Sequence, residues 1–142
     1  MDTIRVVVIE DHDQTRQMLA ALIDSHSDYQ CVGAYPSGEA AIENVANTGA
    51  QVALVDIHLP GITGAQCVAK LKPTYPDIQF IMCTSLEDTD TIFAALQAGA
   101  TGYLTKATTP GKILEAIKDA HQGGSPMSSH IARKVISFFQ QK

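Results

Sequence analysis

Five short apolar runs alternate with segments of helical period along this chain. Residues 4–9, 30–35, 52–56, 79–84 and 102–105 have the length and the Val, Ile, Phe and Tyr content of buried strands. The segments between them carry apolar residues three and four apart. A first helix is predicted after Asp13 as N-cap, with Met18, Leu19, Leu22 and Ile23 on one face. A second follows Ser37 and has Glu39 in its first turn, where the helix dipole favours an acid. A third runs from about Gly64 to Leu71 and stops near Pro73. A fourth follows the acidic stretch Glu87-Asp88-Thr89-Asp90, carries Ile92, Phe93 and Leu96, and ends at Gly99. A fifth opens with Thr109-Pro110, a cap followed by proline at the first helical position.

Five β-α units imply a parallel sheet with helices on both faces, because right-handed crossovers alternate sides. The predicted fold is a flavodoxin-like, doubly wound (βα)5 with strand order 2-1-3-4-5, whose ligand site lies at the carboxyl ends of strands 1 and 3. Gly123-Gly124-Ser125-Pro126 then breaks the pattern, and Ser128-Ser129 can cap a last amphipathic segment. Ile131, Val135 and Phe139 form its apolar stripe at i, i+4 and i+8. The expected division is therefore 1–122 as one domain and 123–142 as a linker with a C-terminal helix outside the domain's core.

Composition narrows the function more than the fold. A chain of 142 residues fits one domain, able to bury roughly 68–70% of its unfolded surface. A net charge of -5, with Arg133-Lys134 as the largest basic group, argues against direct nucleic-acid binding. The opening Met1-Asp2-Thr3-Ile4-Arg5 lacks the pattern of a signal peptide, and no apolar run reaches the length of a membrane span. Cys31, Cys67 and Cys83 are widely spaced among apolar residues and form no Cys-x-x-Cys pair, so they read as reduced thiols rather than zinc ligands. A cytoplasmic location is the expectation.

The chemistry concentrates at the strand ends. Glu10 and Asp11 end the first apolar run, Asp56 the third, Thr84 the fourth, and Lys106 the fifth. The topology brings three carboxylates, a hydroxyl and an ammonium to one rim. At about 5 Å and a dielectric of about 20, two such carboxylates repel by on the order of 3 kcal/mol. A Mg²⁺ ion reverses that sign and prefers hard oxygen ligands. A metal beside Lys106 and Thr84 suits a transferring phosphoryl group, with Asp56 as nucleophile. No G-x-G-x-x-G, P-loop or G-x-S-x-G pattern points elsewhere.

Over residues 4–122 the chain resembles a response-regulator receiver domain. The resemblance rests on Glu10-Asp11, on Val55-Asp56-Ile57-His58-Leu59-Pro60-Gly61-Ile62-Thr63-Gly64, on Thr84-Ser85, and on the run Ala98 to Lys106. It implies that Asp56 accepts a phosphoryl group from a histidine kinase or phosphotransfer protein. Glu10, Asp11, Asp56 and the backbone carbonyl of His58 would hold Mg²⁺. Thr84 and Lys106 would contact the phosphoryl group, and Thr84 and Tyr103 would report it by moving together. The surface of helix 4, strand 5 and helix 5 would then change partners, with homodimerisation as one outcome. Such a domain assists its own phosphorylation and dephosphorylation without being an enzyme in the usual sense. The tail resembles the linker of NarL/LuxR-type transcriptional regulators, which implies transcriptional output through an effector domain outside this chain. A stand-alone receiver acting by protein contact is the alternative.

Ala107 departs from the proline that many receivers carry after the lysine. The family's bond there is commonly cis, which before alanine costs roughly 2.5–4 kcal/mol. A competing resemblance is to haloacid-dehalogenase phosphatases, through Asp11-His12-Asp13-Gln14-Thr15. That reading makes Asp11 the nucleophile and Asp13 the general acid, and it leaves Asp56 unexplained.

Overall fold

The computed structural model describes residues 2–141. Five parallel strands, β1 (Ile4–Ile9), β2 (Tyr29–Tyr35), β3 (Val52–Val55), β4 (Gln79–Thr84) and β5 (Gly102–Thr105), form one sheet in the order β2-β1-β3-β4-β5. Between and after them come α1 (Asp13–Asp24), α2 (Gly38–Asn44) with a 3-10 turn at Val45–Asn47, α3 (Gly64–Leu71), α4 (Thr89–Ala98), α5 (Pro110–His121) and α6 (Ser129–Gln140). This is the doubly wound architecture that the periodicity predicts. The two faces of the sheet bury separate cores. Val6, Val8, Leu54, Ile81 and Leu104 meet Leu19, Ile23, Ile113 and Ile117 of α1 and α5 on one side. Val7, Ile9, Val55, Phe80, Met82 and Tyr103 meet Ala41, Val68 and Ile92 of α2, α3 and α4 on the other. Near-continuous apolar strands follow from burial on both faces.

Local chemistry sets the helix ends. Ser37 accepts from the Ala40 N–H, Thr63 and Gln66 form a reciprocal capping box, and Asp88 accepts from the Thr91 N–H. Gly99 closes α4 at φ +124°, a conformation that favours glycine. The cap of α1 differs from the expectation: His12, not Asp13, is the N-cap, and its ring nitrogen accepts from the Thr15 N–H. Asp13 becomes the first helical residue, where its charge faces the dipole.

The larger departure lies after α5. Pro126 O accepts from the Tyr103 N–H at 2.9 Å, the Ser128 N–H donates to Tyr103 O at 3.1 Å, and Ser128 Oγ accepts from the Thr105 N–H at 3.2 Å. The chain thus returns along the open side of β5, with Tyr103 and Met127 paired in parallel. The α6 helix follows, and its Ile131 is 0% exposed within the α2–α3–α4 core. The expectation that this helix stands outside the core does not hold. The physical reason is that a 12-residue helix is marginal alone and gains its stability by burying an apolar face. The buried stripe is also Ile131, Val135 and Phe138 rather than Phe139. Seven residues bring an α-helix back to within about 20° of its starting direction, while eight overshoot by about 80°. Phe138 accordingly stacks on Phe93 of α4 at 4.3 Å, and Phe139 is largely exposed.

Candidate functional site

The predicted acids arrive at one rim because main-chain bonds extend the sheet beyond its strand ends. The Glu10 N–H donates to Tyr35 O and the Asp56 N–H to Ile9 O, each at 3.0 Å. Gly64, the first residue of α3, approaches the Asp56 backbone so closely that a Cβ there would lie 2.1 Å from the Asp56 carbonyl oxygen. Only glycine permits that packing, which seats the β3–α3 turn. Glu10 is 2% and Asp56 6% exposed, whereas Asp11 is open to solvent. One carboxylate oxygen from each of Glu10, Asp11 and Asp56 lies within 4.8 Å of the others.

Lys106 reaches across from the end of β5. Its ammonium donates to Glu10 Oε1 at 2.6 Å and to Asp56 Oδ2 at 2.9 Å. The remaining oxygens have main-chain partners: the His12 N–H on Glu10 Oε2 at 3.1 Å and the His58 N–H on Asp56 Oδ1 at 3.3 Å. Burial pushes the Glu10 carboxyl above the ordinary glutamate range, and the Lys106 and His12 bonds offset only part of that. Burial disfavours the charged form of Lys106 too, but the two carboxylates outweigh it and hold its ammonium above the usual lysine range. Three carboxylates share one ammonium, so the set keeps an excess of negative charge on hard oxygen donors. A small divalent cation such as Mg²⁺ fits that donor set.

Beside Lys106, the rest of the rim is neutral. Thr84, the buried last residue of β4, accepts from the Leu86 N–H through Oγ1 at 3.4 Å. The Tyr103 ring is fully buried in β5 and its hydroxyl donates to Leu86 O. Burial drives that phenol far above its ordinary range. Thr84 and Tyr103 therefore grip the same residue, one through its N–H and one through its C=O. His58 lies exposed on the loop after Asp56. The bond before Ala107 is trans, as non-proline peptides prefer, so the expected cis bond is not adopted.

One residue that shapes the site, Arg16, carries no signal in the strand-end pattern. Arg16 donates to Glu10 O at 3.0 Å and Asp11 O at 3.4 Å, and pairs with Asp13 Oδ1 at 2.6 Å. It fastens the β1–α1 loop; the Asp13–Arg16 spacing of three on a helix was a usable clue. Asp13 is thereby engaged by Arg16 and lies outside the acid cluster found among the described residues.

The sequence profile of the response regulator receiver domain family matches residues 6–118. The transcriptional regulatory protein LiaR of Bacillus subtilis is 30% identical over 134 residues, covering 94% of this chain and 64% of that protein. The response regulator GacA of Pseudomonas protegens is 33% identical over 133 residues, covering 94% of this chain and 62% of that protein. The chain thus spans less than two thirds of the length of these relatives. A LuxR-family two-component response regulator from Aurantimonas sp. SI85-9A1 superposes with a TM-score of 0.89 at 24% identity, over 96% of this chain and 97% of that one, a likeness of fold. With the profile covering most of the sequence, the chain belongs to the response regulator receiver domain family of two-component systems.

Proposed function

We propose that the chain is a phosphorylation-dependent switch that accepts a phosphoryl group on Asp56. The observation that carries this reading is the Lys106 ammonium bridging Glu10 and Asp56 beside Asp11. Glu10, Asp11, Asp56 and the His58 carbonyl would hold Mg²⁺. When bound, the ion supplies positive charge against the equatorial oxygens of the transferring group. An Asp56 carboxylate oxygen attacks the phosphorus of a phosphohistidine on a sensor kinase or phosphotransfer protein. The P–O bond forms as the P–N bond breaks, and the donor imidazole leaves with the electron pair. Lys106 exchanges its carboxylate partners for phosphoryl oxygens, and the Thr84 hydroxyl turns toward the same group. Catalysis here is positioning and electrostatics rather than turnover.

The output we favour is transcriptional, through an effector domain beyond this chain and with a homodimer as one active form. Its support is the kinship to LiaR and GacA together with the chain's partial span of them. A stand-alone receiver, working in the cytoplasm by protein contact, is the second reading; the burial of Ile131 favours it, because α6 completes the core of this unit. Neither reading assigns direct nucleic-acid binding to this chain. No helix among the described residues is long and apolar enough to cross a membrane.

Incubation with acetyl phosphate and Mg²⁺, followed by intact mass, tests the acceptor. The expected result is one phosphoryl group on the parent chain and none on Asp56→Ala. Label retained by Asp56→Ala would sink the assignment. If Asp11→Asn also abolished that label, the phosphatase reading would replace it.

A further inference from the structure

The turn between β3 and α3 carries His58, and most of its bonds are local. The His58 N–H donates to Asp56 Oδ1 at 3.3 Å, the Gly64 N–H to Ile57 O at 2.8 Å, and the Thr63 N–H to Gln66 Oε1 at 2.9 Å. Ile62 bonds elsewhere. Its N–H donates at 3.2 Å to Glu39 Oε2, on the first turn of α2 and 23 residues earlier in the chain. Two glycines fit the turn to that helix. Gly61 lies against the Glu39 carboxylate at φ +74°, and a Cβ there would stand 2.2 Å from Glu39 Oε2. Gly38, the first residue of α2, leaves room for Ile62: a Cβ on it would meet Ile62 Cγ1 at 2.8 Å. The bond, the left-handed glycine and the close approach are separate observations of one contact. Glu39 itself lies outside the acid cluster found among the described residues.

We propose that Glu39 is a positioning residue for the cation site: by holding the Ile62 N–H it fixes the turn that presents the His58 carbonyl beside Asp56. This rests on the Mg²⁺ and acceptor reading above and adds to it a residue on a different helix. The middle of the turn has few restraints of its own, because Pro60 has no N–H to bond and Gly61 has no side chain to pack. The Glu39 carboxylate supplies the missing anchor from outside. Without it, residues 58–62 sample more orientations, and only a fraction of them aim the His58 carbonyl at the acids. Apparent affinity for the cation falls by that fraction. An acid in the first turn of α2 also suits the helix dipole, but that role needs no contact with Ile62 and no glycine beneath the carboxylate.

Mg²⁺ titration and amide hydrogen exchange on the full chain test this. Glu39 is exposed, so its variants should fold. Glu39→Ala should lower Mg²⁺ affinity about threefold to tenfold and speed exchange of the Ile62 amide by a similar factor. Glu39→Gln keeps an acceptor oxygen and drops the charge, so both quantities should stay within about twofold of the parent. Gly61→Ala should also weaken Mg²⁺ binding, and by less in the Glu39→Ala background, where its clash with the carboxylate is gone. Equal losses in Glu39→Ala and Glu39→Gln would mean that charge acts at a distance, and would overturn the proposal. So would parent-like Mg²⁺ affinity in Glu39→Ala with a fast Ile62 amide, since the contact would then be structural only. An Ile62 amide that exchanges no faster in Glu39→Ala would remove the contact itself. Each of these leaves the acceptor reading standing. No Mg²⁺ binding by the parent chain, or binding undiminished in Asp11→Ala, would remove the metal reading and this proposal together.

Discussion

At the ends of β1 and β3 the rim is charged and mostly buried; Thr84 at the end of β4 and Tyr103 within β5 present neutral hydroxyls bonded to peptide groups. Glu10 and Asp56 are held against their mutual repulsion by main-chain donors and by the one ammonium of Lys106. Thr84 and Tyr103 hold Leu86 instead. Glu10 and Asp56 are fixed by main-chain bonds that extend the sheet, while Asp11 stands open to solvent beside them. The Thr84 and Tyr103 hydroxyls offer no charge, but their bonds end on a loop whose next residue is held by α6. On the function proposed above this is a division of labour: the acids would hold the metal, and the hydroxyl pair would turn the phosphoryl group's presence into a change of surface. Lys106 belongs to both, anchored at the end of β5 and bonded to the acids of β1 and β3.

That division is broken most directly by metal titration. Asp11→Ala removes one of three clustered carboxylates, and a unit charge pair at about 4 Å with a dielectric of about 20 is worth on the order of 4 kcal/mol before desolvation. A loss of at least about tenfold in Mg²⁺ affinity is expected, since about 1.4 kcal/mol suffices for that. Thr84→Ala should leave the affinity close to the parent value, and Lys106→Ala should not weaken it, because the removed ammonium competes with the metal for the same oxygens. Both should nevertheless impair switching, measured as the beryllofluoride-induced change in hydrogen exchange. Equal loss of metal affinity in all three variants would merge the two halves into one.

The attachment of α6 to the neutral half is the next test. Ile131 is fully buried among core residues. Ile131→Ala should cost about 2–5 kcal/mol if the site cannot collapse, read as a lowered urea midpoint with unchanged slope. A cost below about 0.5 kcal/mol, the range of ordinary surface changes, would detach α6 from the core and restore the picture of a helix waiting for another domain.

The charged half was legible in the sequence and the neutral half only in part. Glu10, Asp56, Thr84 and Lys106 could be placed because each closes an apolar run, and a parallel sheet gathers the carboxyl ends of its strands on one edge. Arg16 closes no apolar run; the Asp13–Arg16 spacing hints at its ion pair, but its contacts to the main-chain oxygens of Glu10 and Asp11 leave no complementary residue type to search for. The docking of α6 was misread for a similar reason. The Gly-Gly-Ser-Pro break marks where α5 ends, but it does not say where the chain goes next. The return along β5 is made largely by main-chain bonds at Pro126 and Ser128, which leave little residue signature, with the Ser128 hydroxyl adding one bond to the Thr105 N–H. Even the stripe of α6 was set one residue off, because Phe138 and Phe139 are both aromatic and only packing against Phe93 chooses between them.

The smallest expected effect is at Tyr103, and it is the one that isolates the neutral half from the charged one. Tyr103→Phe keeps the ring that fills the core and deletes only the hydroxyl on Leu86 O. The net worth of such a bond is about 0.5–1.5 kcal/mol, so the variant should stay folded with a modest loss of stability. Its Mg²⁺ affinity should match the parent, since no acid contacts the phenol. In the parent chain, Mg²⁺ with beryllofluoride should shift the ring NMR signals of Tyr103, because Leu86 cannot leave Thr84 without disturbing the carbonyl that Tyr103 holds. Signals identical in the two states would cut Tyr103 out of the coupling.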